Sequence, residues 1–291
     1  MRKSRNLAVC MIGAACGLLF YCGSFYARSF LENRAAQQKY DNLRKECTGE
    51  NDPDDMEIVR SVTSKKKNSG EQVLGKQDKT GDVSSQEEIR ESFGISWDKL
   101  RKINDQVVGW IQIPGTDISY PVVQGEDDEY YLHHSISKEK DAFGTIFLGA
   151  GNSKDFRDSH SFLYGHNMEG NMMFANLNRY EEEEFYRQCP VFYIITPEEM
   201  YCYEIFSVEQ AGEQSPGFQY GYELGSRAYE KQLELLSGNS MYQTHVKTDS
   251  SKPMVTLVTC NSRLDEYIRM TVHGILRDTW NREENTVNTS V

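Results

Sequence analysis

Two β-branched runs near the C-terminus constrain the fold more than any other feature of this sequence. Residues 255–260 are Val-Thr-Leu-Val-Thr-Cys, and residues 267–272 are Tyr-Ile-Arg-Met-Thr-Val. The polar stretch 261–266 between them is typical of a turn, so the pattern predicts two strands that return on each other. Cys260 would then end one strand and Arg269 would lie on the next, where a nucleophile and a cationic partner for an oxyanion could stand side by side.

The region from about residue 89 to residue 280 is predicted to form a single domain of short strands interrupted by a few helices. Helices are predicted near 89–104, with Ser96 as a possible N-cap, and over 172–187 and 226–236. Further strands are predicted over the apolar or alternating runs 107–113, 118–123, 144–148, 161–164, 191–196 and 200–208. This order favours a mainly β fold, one closed β-barrel with added helices.

The N-terminal third is predicted to attach that domain to a membrane. Residues 1–6 are basic, and the uncharged stretch 7–26 has about the 20 residues that a helix needs to cross a bilayer. A cleavable signal peptide is the alternative, although its apolar part is usually shorter. Residues 27–88 are predicted to form a helical stalk followed by a flexible tether, and 281–291 a C-terminal tail. The basic end would remain in the cytoplasm and the catalytic domain would lie outside.

Charge and cysteine usage exclude several classes of function. The chain has 44 acidic against 32 basic residues and no long basic stripe, so nucleic acid is not an expected partner. Its seven cysteines include no CxxC pair, so neither a zinc site nor a thioredoxin-like motif is predicted. No metal and no cofactor are expected, and the acidic run 181–184 is interpreted as a solvated helix face.

A reactive cysteine needs a base or a cation, because an ordinary thiol with a pKa near 8.5 is mostly protonated at neutral pH. His166 is the candidate base, since it follows a strand that breaks at Gly165 into a polar loop. From the pattern alone His166 is equally well a turn residue bonded to the backbone. On spacing alone, a free cysteine such as Cys260 is more often a buried small hydrophobe than a nucleophile, and Arg263 competes with Arg269 as the cation.

The other histidines carry weaker signals. His133 and His134 are expected at the surface or in packing, whereas His160 and His245 have no motif around them. His273 shares a strand face with Arg269, but a structural role is the expectation.

Three segments resemble the signature of the sortases. Residues 256–260 and 269–274 resemble the cysteine strand and the arginine strand, and residues 164–168 resemble the histidine segment. Class B is indicated by several further segments, namely 108–113, 115–118, 120–124, 130–132 and the helix-rich insert 225–242. The likeness covers about residues 93–277 in the family's order.

The resemblance implies a membrane-anchored cysteine transpeptidase of Gram-positive bacteria, built on a closed eight-stranded β-barrel. Cys260 would attack the threonine carbonyl of an NPxTN-like C-terminal sorting signal on a surface protein and form a thioacyl enzyme. His166 would exchange protons with the two amines, and Arg269 would stabilise the oxyanion. The acceptor would be an amine of a peptidoglycan precursor. Substrate-groove positions are implied at Leu132, Tyr164 and Thr259.

One departure from the family pattern concerns a third catalytic residue. The acidic residue often found just after the cysteine is replaced by Asn261, and Asp265 lies further on. Two other functions stay open at this point. One is a thiol peptidase that uses water as the acceptor, and the other is a non-catalytic surface or pilus module in which Cys260 only packs.

Overall fold

The computed structural model describes residues 2–48, 94–168, 170–212, 214–260 and 268–281, with the backbone alone at 2–19, 25, 26, 29 and 260. The predicted tether after residue 48, the turn 261–267 and the tail after residue 281 lie outside these residues. The helices are α1 (Arg2–Thr48), α2 (Trp97–Ile103), α3 (Glu183–Gln188) and α4 (Arg227–Asn239), and the 3₁₀ turns are Tyr130–Leu132, Ala175–Glu181 and Pro216–Phe218. The strands are β1 (Val107–Gln112), β2 (Ser119–Val123), β3 (Phe147–Leu148), β4 (His160–Gly165), β5 (Asn167–Met168), β6 (Met172–Met173), β7 (Val191–Ile195), β8 (Glu199–Gly212), β9 (Met254–Cys260) and β10 (Ile268–Asn281).

Eight of these strands form a closed barrel in the order β1-β2-β3-β4-β9-β10-β8-β7, with β7 returning to β1. The pairs β2–β3 and β4–β9 are parallel, and the other barrel pairs are antiparallel. Closure satisfies the backbone groups that an open sheet would leave at its edges. The predicted closed eight-stranded β-barrel is therefore confirmed.

The barrel interior is filled by aromatic and branched side chains from all of its walls. Alternate residues along a strand point to opposite faces, so each strand contributes every second side chain to the interior. Members of this core that are at most 1% exposed include Ile111, Leu148, Leu163, Phe192, Tyr203, Leu257 and Val272.

Helix α4 covers the outer face of β8, β9 and β10. Ser226 caps it, since its Oγ accepts a hydrogen bond from the backbone N–H of Tyr229 at 3.2 Å. The predicted apolar face is confirmed, because Tyr229, Leu233 and Leu236 are buried in a cluster with Phe206, Met254 and Ile275. Burial of that face fixes the insert against β8, β9 and β10, and the last two of these strands carry Cys260 and Arg269.

The predicted helix over 172–187 is wrong in its first half. Asn171 and Met173 have positive φ values of 60° and 53°, which no right-handed helix contains. The backbone N–H of Phe174 donates to the carbonyl of His166 at 3.0 Å and holds the chain in this turn. A two-residue strand and a 3₁₀ turn therefore precede the short helix α3. Helix α2 begins directly after Ser96, as the predicted N-cap requires, but the side chain of Ser96 makes no capping bond.

The chain divides into two compact units, one ending at Leu43 and the other beginning at Arg44. Within the second unit, the last turn of α1 is tied to the segment around α2. The N–H of Ser96 donates to the carbonyl of Cys47 at 2.7 Å, and the Lys99 Nζ donates to the carbonyl of Glu46 at 2.8 Å. The predicted stalk helix thus ends inside the same compact unit as the barrel.

Residues 7–26, for which the sequence predicts a membrane anchor, lie within α1. Among the residues that the structure describes, no helix is both long and apolar enough to span a bilayer.

Candidate active site

Three adjacent barrel strands bring the predicted catalytic positions to one end of the barrel. In the antiparallel pair β9–β10, Arg269 is the register partner of Cys260. In the parallel pair β4–β9, Gly165 is the partner of Thr259. Continuing that register by one residue places His166 opposite Cys260. The structure describes the backbone of Cys260 but not its side chain. The three candidate residues are therefore brought together here by the register of their backbones.

The His166 ring is oriented by a backbone carbonyl. Its Nε2 lies 2.8 Å from the carbonyl oxygen of Leu132, and the ring is half-buried. A carbonyl oxygen only accepts hydrogen bonds, so Nε2 carries the hydrogen. In the neutral ring Nδ1 is then the nitrogen with the lone pair, and it is the atom that can exchange a proton with a reacting group.

Gly165 holds the histidine strand close to its neighbours. A Cβ at this position would lie 2.3 Å from the Ile146 Cδ1 and 2.9 Å from the Phe174 ring, closer than real Cβ contacts allow. The absence of a side chain therefore sets how deeply the residue before His166 sits in the barrel wall.

We expect Gly165→Ala to destabilise the protein by about 1–3 kcal/mol, because the added methyl group forces neighbours apart. Turnover should fall as well, since the displacement lies next to His166. Denaturant unfolding and initial rates at a temperature where the variant is folded measure the two effects. Gly212→Ala is the matched control, because no atom lies within 4 Å of its Cβ position. Equal stability of the two variants would contradict the expectation.

Tyr164 lies one residue before Gly165 on β4, and its register partner on β9 is Val258. Its half-buried ring stacks on Phe147 at 5.2 Å between centroids. Burial, with Asp128 as a smaller cause and Arg269 opposing it, raises the pKa of Tyr164 to about 12. The phenol is therefore neutral near neutral pH and can donate a hydrogen bond.

The structure gives the predicted groove residues different surroundings. Leu132 is half-buried and contacts His166 through its carbonyl, a role that the sequence pattern did not indicate. Thr259 is only 1% exposed, so its side chain offers a substrate almost no surface, and its backbone is the remaining candidate. Tyr164 is half-buried, and its register partner Val258 lies two residues before Cys260 on β9.

Sequence reasoning missed a buried polar cluster beside this site. His160, Thr256 and His273 are completely buried and hydrogen-bonded to one another. The available signal was weak: His273 alternates with Arg269 along β10, but no local motif surrounds His160.

The comparisons with known proteins all indicate the same family. The sortase domain family model matches residues 111–276. Sortase B of Listeria monocytogenes is 36% identical over 180 residues, covering 61% of this chain and 72% of the relative. The X-ray structure of Clostridium perfringens sortase B superposes with a TM-score of 0.59 at 31% identity, covering 63% of this chain and all of that one. Staphylococcus aureus sortase B gives 0.59 at 26% identity, covering 69% and 94%.

The closed eight-stranded barrel, with the candidate site on three adjacent strands at one end, has the fold of the sortases. The chain belongs to the sortase family. The relatives that it matches are sortases B, so class B is the branch in question. It is accordingly an enzyme of the cell envelope, a transpeptidase that sorts proteins to the cell wall.

Proposed function

We propose that this transpeptidase cleaves a C-terminal NPxTN-like sorting signal after its threonine, through a thioacyl intermediate on Cys260. It then joins the surface protein to an amine of a peptidoglycan precursor. The observation that carries the proposal is the register of β4, β9 and β10, which aligns Arg269 with Cys260 and brings His166 level with them. Leu132, Tyr164 and Thr259 are proposed to line the substrate groove.

In the first half-reaction the Cys260 thiolate attacks the threonine carbonyl carbon, and a C–S bond forms. The carbonyl oxygen becomes an oxyanion that Arg269 and backbone N–H groups stabilise. The C–N bond then breaks, and protonated His166 gives its Nδ1 proton to the leaving amine. The product is a thioester between Cys260 and the sorted protein. Retention of the Nε2 hydrogen bond to Leu132 keeps the ring aimed during this transfer.

In the second half-reaction an amine of the wall precursor attacks the thioester carbonyl. His166, now neutral, accepts the proton that the amine loses as the new C–N bond forms. Collapse of the oxyanion releases the Cys260 thiolate, so the site returns to its starting protonation state. The cycle gives side-chain roles to Cys260, His166 and Arg269, and the position after the cysteine, which is often acidic in the family, is Asn261 here.

Attachment to the membrane through residues 7–26, with the barrel on the outer side, belongs to the proposal on sequence grounds alone. The strong basic-then-apolar order of the N-terminus is its support.

The experiment that tests the proposal incubates the full chain with a peptide containing Asn-Pro-Gln-Thr-Asn, with and without an amine acceptor. We expect an amine-joined product after the threonine and a faster release of the leaving peptide when amine is present. Cleavage without any joined product would favour the thiol peptidase. No cleavage of this peptide, or cleavage elsewhere, would overturn the proposed signal. Processing that survives removal of the Cys260 thiol would favour the non-catalytic alternative for that residue.

A further inference from the structure

A buried chain of polar side-chain contacts links four barrel strands beside the proposed site. The His160 Nδ1 lies 2.7 Å from the Gln219 carbonyl, and its Nε2 lies 2.7 Å from the Thr256 Oγ1. The same Oγ1 lies 2.8 Å from the His273 Nδ1. His273 Nε2 faces the Glu209 Oε1 at 3.5 Å. His160 lies on β4, Thr256 on β9, His273 on β10 and Glu209 on β8.

These side chains share one face of the sheet with the proposed catalytic positions. Thr256 is four residues before Cys260 on β9, and its register partner His273 is four residues after Arg269 on β10. Even spacing along a strand keeps side chains on one face. The same three strands therefore carry the proposed catalytic positions at one end. The side-chain bridge lies four residues away from them along β9 and β10.

The direction of each hydrogen bond is set by what the groups can donate. The Gln219 carbonyl only accepts, so the His160 Nδ1 carries a hydrogen. Complete burial, and to a smaller extent the nearby His273, lower the pKa of His160 to about 3. The ring is therefore neutral, and its Nε2 is an acceptor. The single hydroxyl hydrogen of Thr256 must then go to His160. The Thr256 oxygen consequently accepts from the His273 Nδ1.

The contact between His273 and Glu209 needs one more proton. With its hydrogen on Nδ1, a neutral His273 presents a lone pair at Nε2 to the Glu209 carboxylate. Neither the Glu209 Oε1 nor the His273 Nε2 has a hydrogen-bond partner elsewhere among the residues that the structure describes. Two buried acceptors facing each other are unfavourable, and one proton between them turns the contact into a charge-assisted hydrogen bond.

We propose that His160, Thr256, His273 and Glu209 are positioning residues for the transpeptidation, holding β4, β9, β10 and β8 in the register that sets His166, Cys260 and Arg269 level with one another. Thr256 is the centre of this bridge, because its one hydroxyl contacts the histidines of both neighbouring strands. The inference rests on the proposed function of those three residues.

The hydrogen-bond order can be read directly from the wild-type full chain by ¹⁵N NMR of the imidazoles. We expect His160 to carry hydrogen on Nδ1 and a bare Nε2 at neutral pH, and His273 to carry hydrogen on Nδ1. A His160 hydrogen on Nε2 would overturn the proposed order. This measurement needs no activity, so it stands even if the peptide assay shows no transpeptidation and the proposed function fails.

The positioning role is tested with Thr256→Val, which keeps the side-chain shape and removes the hydroxyl. We expect kcat to fall about 10- to 100-fold with KM within about twofold, since a small misplacement of reacting groups has effects of that order. Thr256→Ser should restore kcat to within about threefold of wild type. Thr196→Val is the matched control: this threonine is 4% exposed, its hydroxyl bonds Glu199 in the β7–β8 turn, and kcat should stay unchanged.

Should the valine variant not fold, Thr256→Ala is assayed in the same way against Thr256→Ser. An unchanged kcat in a folded variant that lacks the hydroxyl would overturn the proposal, as would a serine variant no better than valine. An equal loss of kcat in Thr196→Val would also overturn it, because the effect would then follow from any buried threonine.

Discussion

Replacing Cys260 with alanine is expected to lower the transpeptidation rate by about 10⁴-fold or more, because no thioacyl intermediate can form without the sulfur. The rate is measured as the initial rate of the amine-joined peptide by chromatography. Mass spectrometry of the wild-type protein, quenched during turnover without acceptor, should show the acyl group on the peptide that contains Cys260. In the variant that mass increase should be absent.

The buried cysteines supply the controls for this result. Cys202 is completely buried, and burial raises the pKa of its thiol to about 12, so it stays protonated and unreactive at neutral pH. Cys189 is 4% exposed and lies between α3 and β7. We expect Cys189→Ala to retain the wild-type rate, and a thiosulfonate to label Cys260 before either of these two. More than about a hundredth of the wild-type rate in Cys260→Ala would contradict the nucleophile assignment.

Replacing Arg269 with alanine is expected to lower kcat by about 10²- to 10³-fold, the usual effect of removing one oxyanion donor. The register of β9 and β10 pairs Arg269 with Cys260, and the substitution leaves the proposed nucleophile unchanged. Arg269→Lys should lie between alanine and wild type, because lysine keeps the charge but lacks the planar fork of donors. Steady-state kinetics on the same peptide and amine separate kcat from KM.

Arg263→Ala is the matched control for Arg269→Ala. Both arginines are close in sequence to Cys260, but Arg269 is predicted on a strand and Arg263 in the turn. Arg263 lies outside the residues that the structure describes. We expect its variant to keep kcat within about threefold of wild type, the range of an ordinary surface change. If the two variants exchanged these effects, Arg263 would be the oxyanion partner and the assignment of Arg269 would be wrong.

Much of the barrel could be predicted from the sequence because its strands are locally distinctive. The β-branched runs of β9 and β10, and the alternation in β7 and β8, indicate strands without any tertiary information. The predicted helix over 172–187 failed for the opposite reason. Its apolar spacing is helical, but positive φ values at Asn171 and Met173 follow from the bond between Phe174 and His166, which no local pattern reveals.

The site shows the same division between local and distant information. Motif resemblance singled out Cys260, His166 and Arg269, and strand register brings their backbones level. The orienting bond from His166 to the Leu132 carbonyl joins residues 34 positions apart. The contact between His160 and Thr256 spans 96 positions. Such partners are chosen by the closed topology of the barrel, so periodicity and spacing along the chain could not identify them.

The parallel pairing of β4 with β9 has a consequence for when the protein becomes reactive. The strand before His166 and the strand that ends in Cys260 are neighbours in space, yet the whole stretch between Gly165 and Met254 separates them along the chain. Contacts of such long sequence separation form late in folding, because the intervening loop must first be ordered. A growing polypeptide therefore carries its histidine strand long before β9 and β10 are made, and the proposed site cannot assemble until both strands have been added.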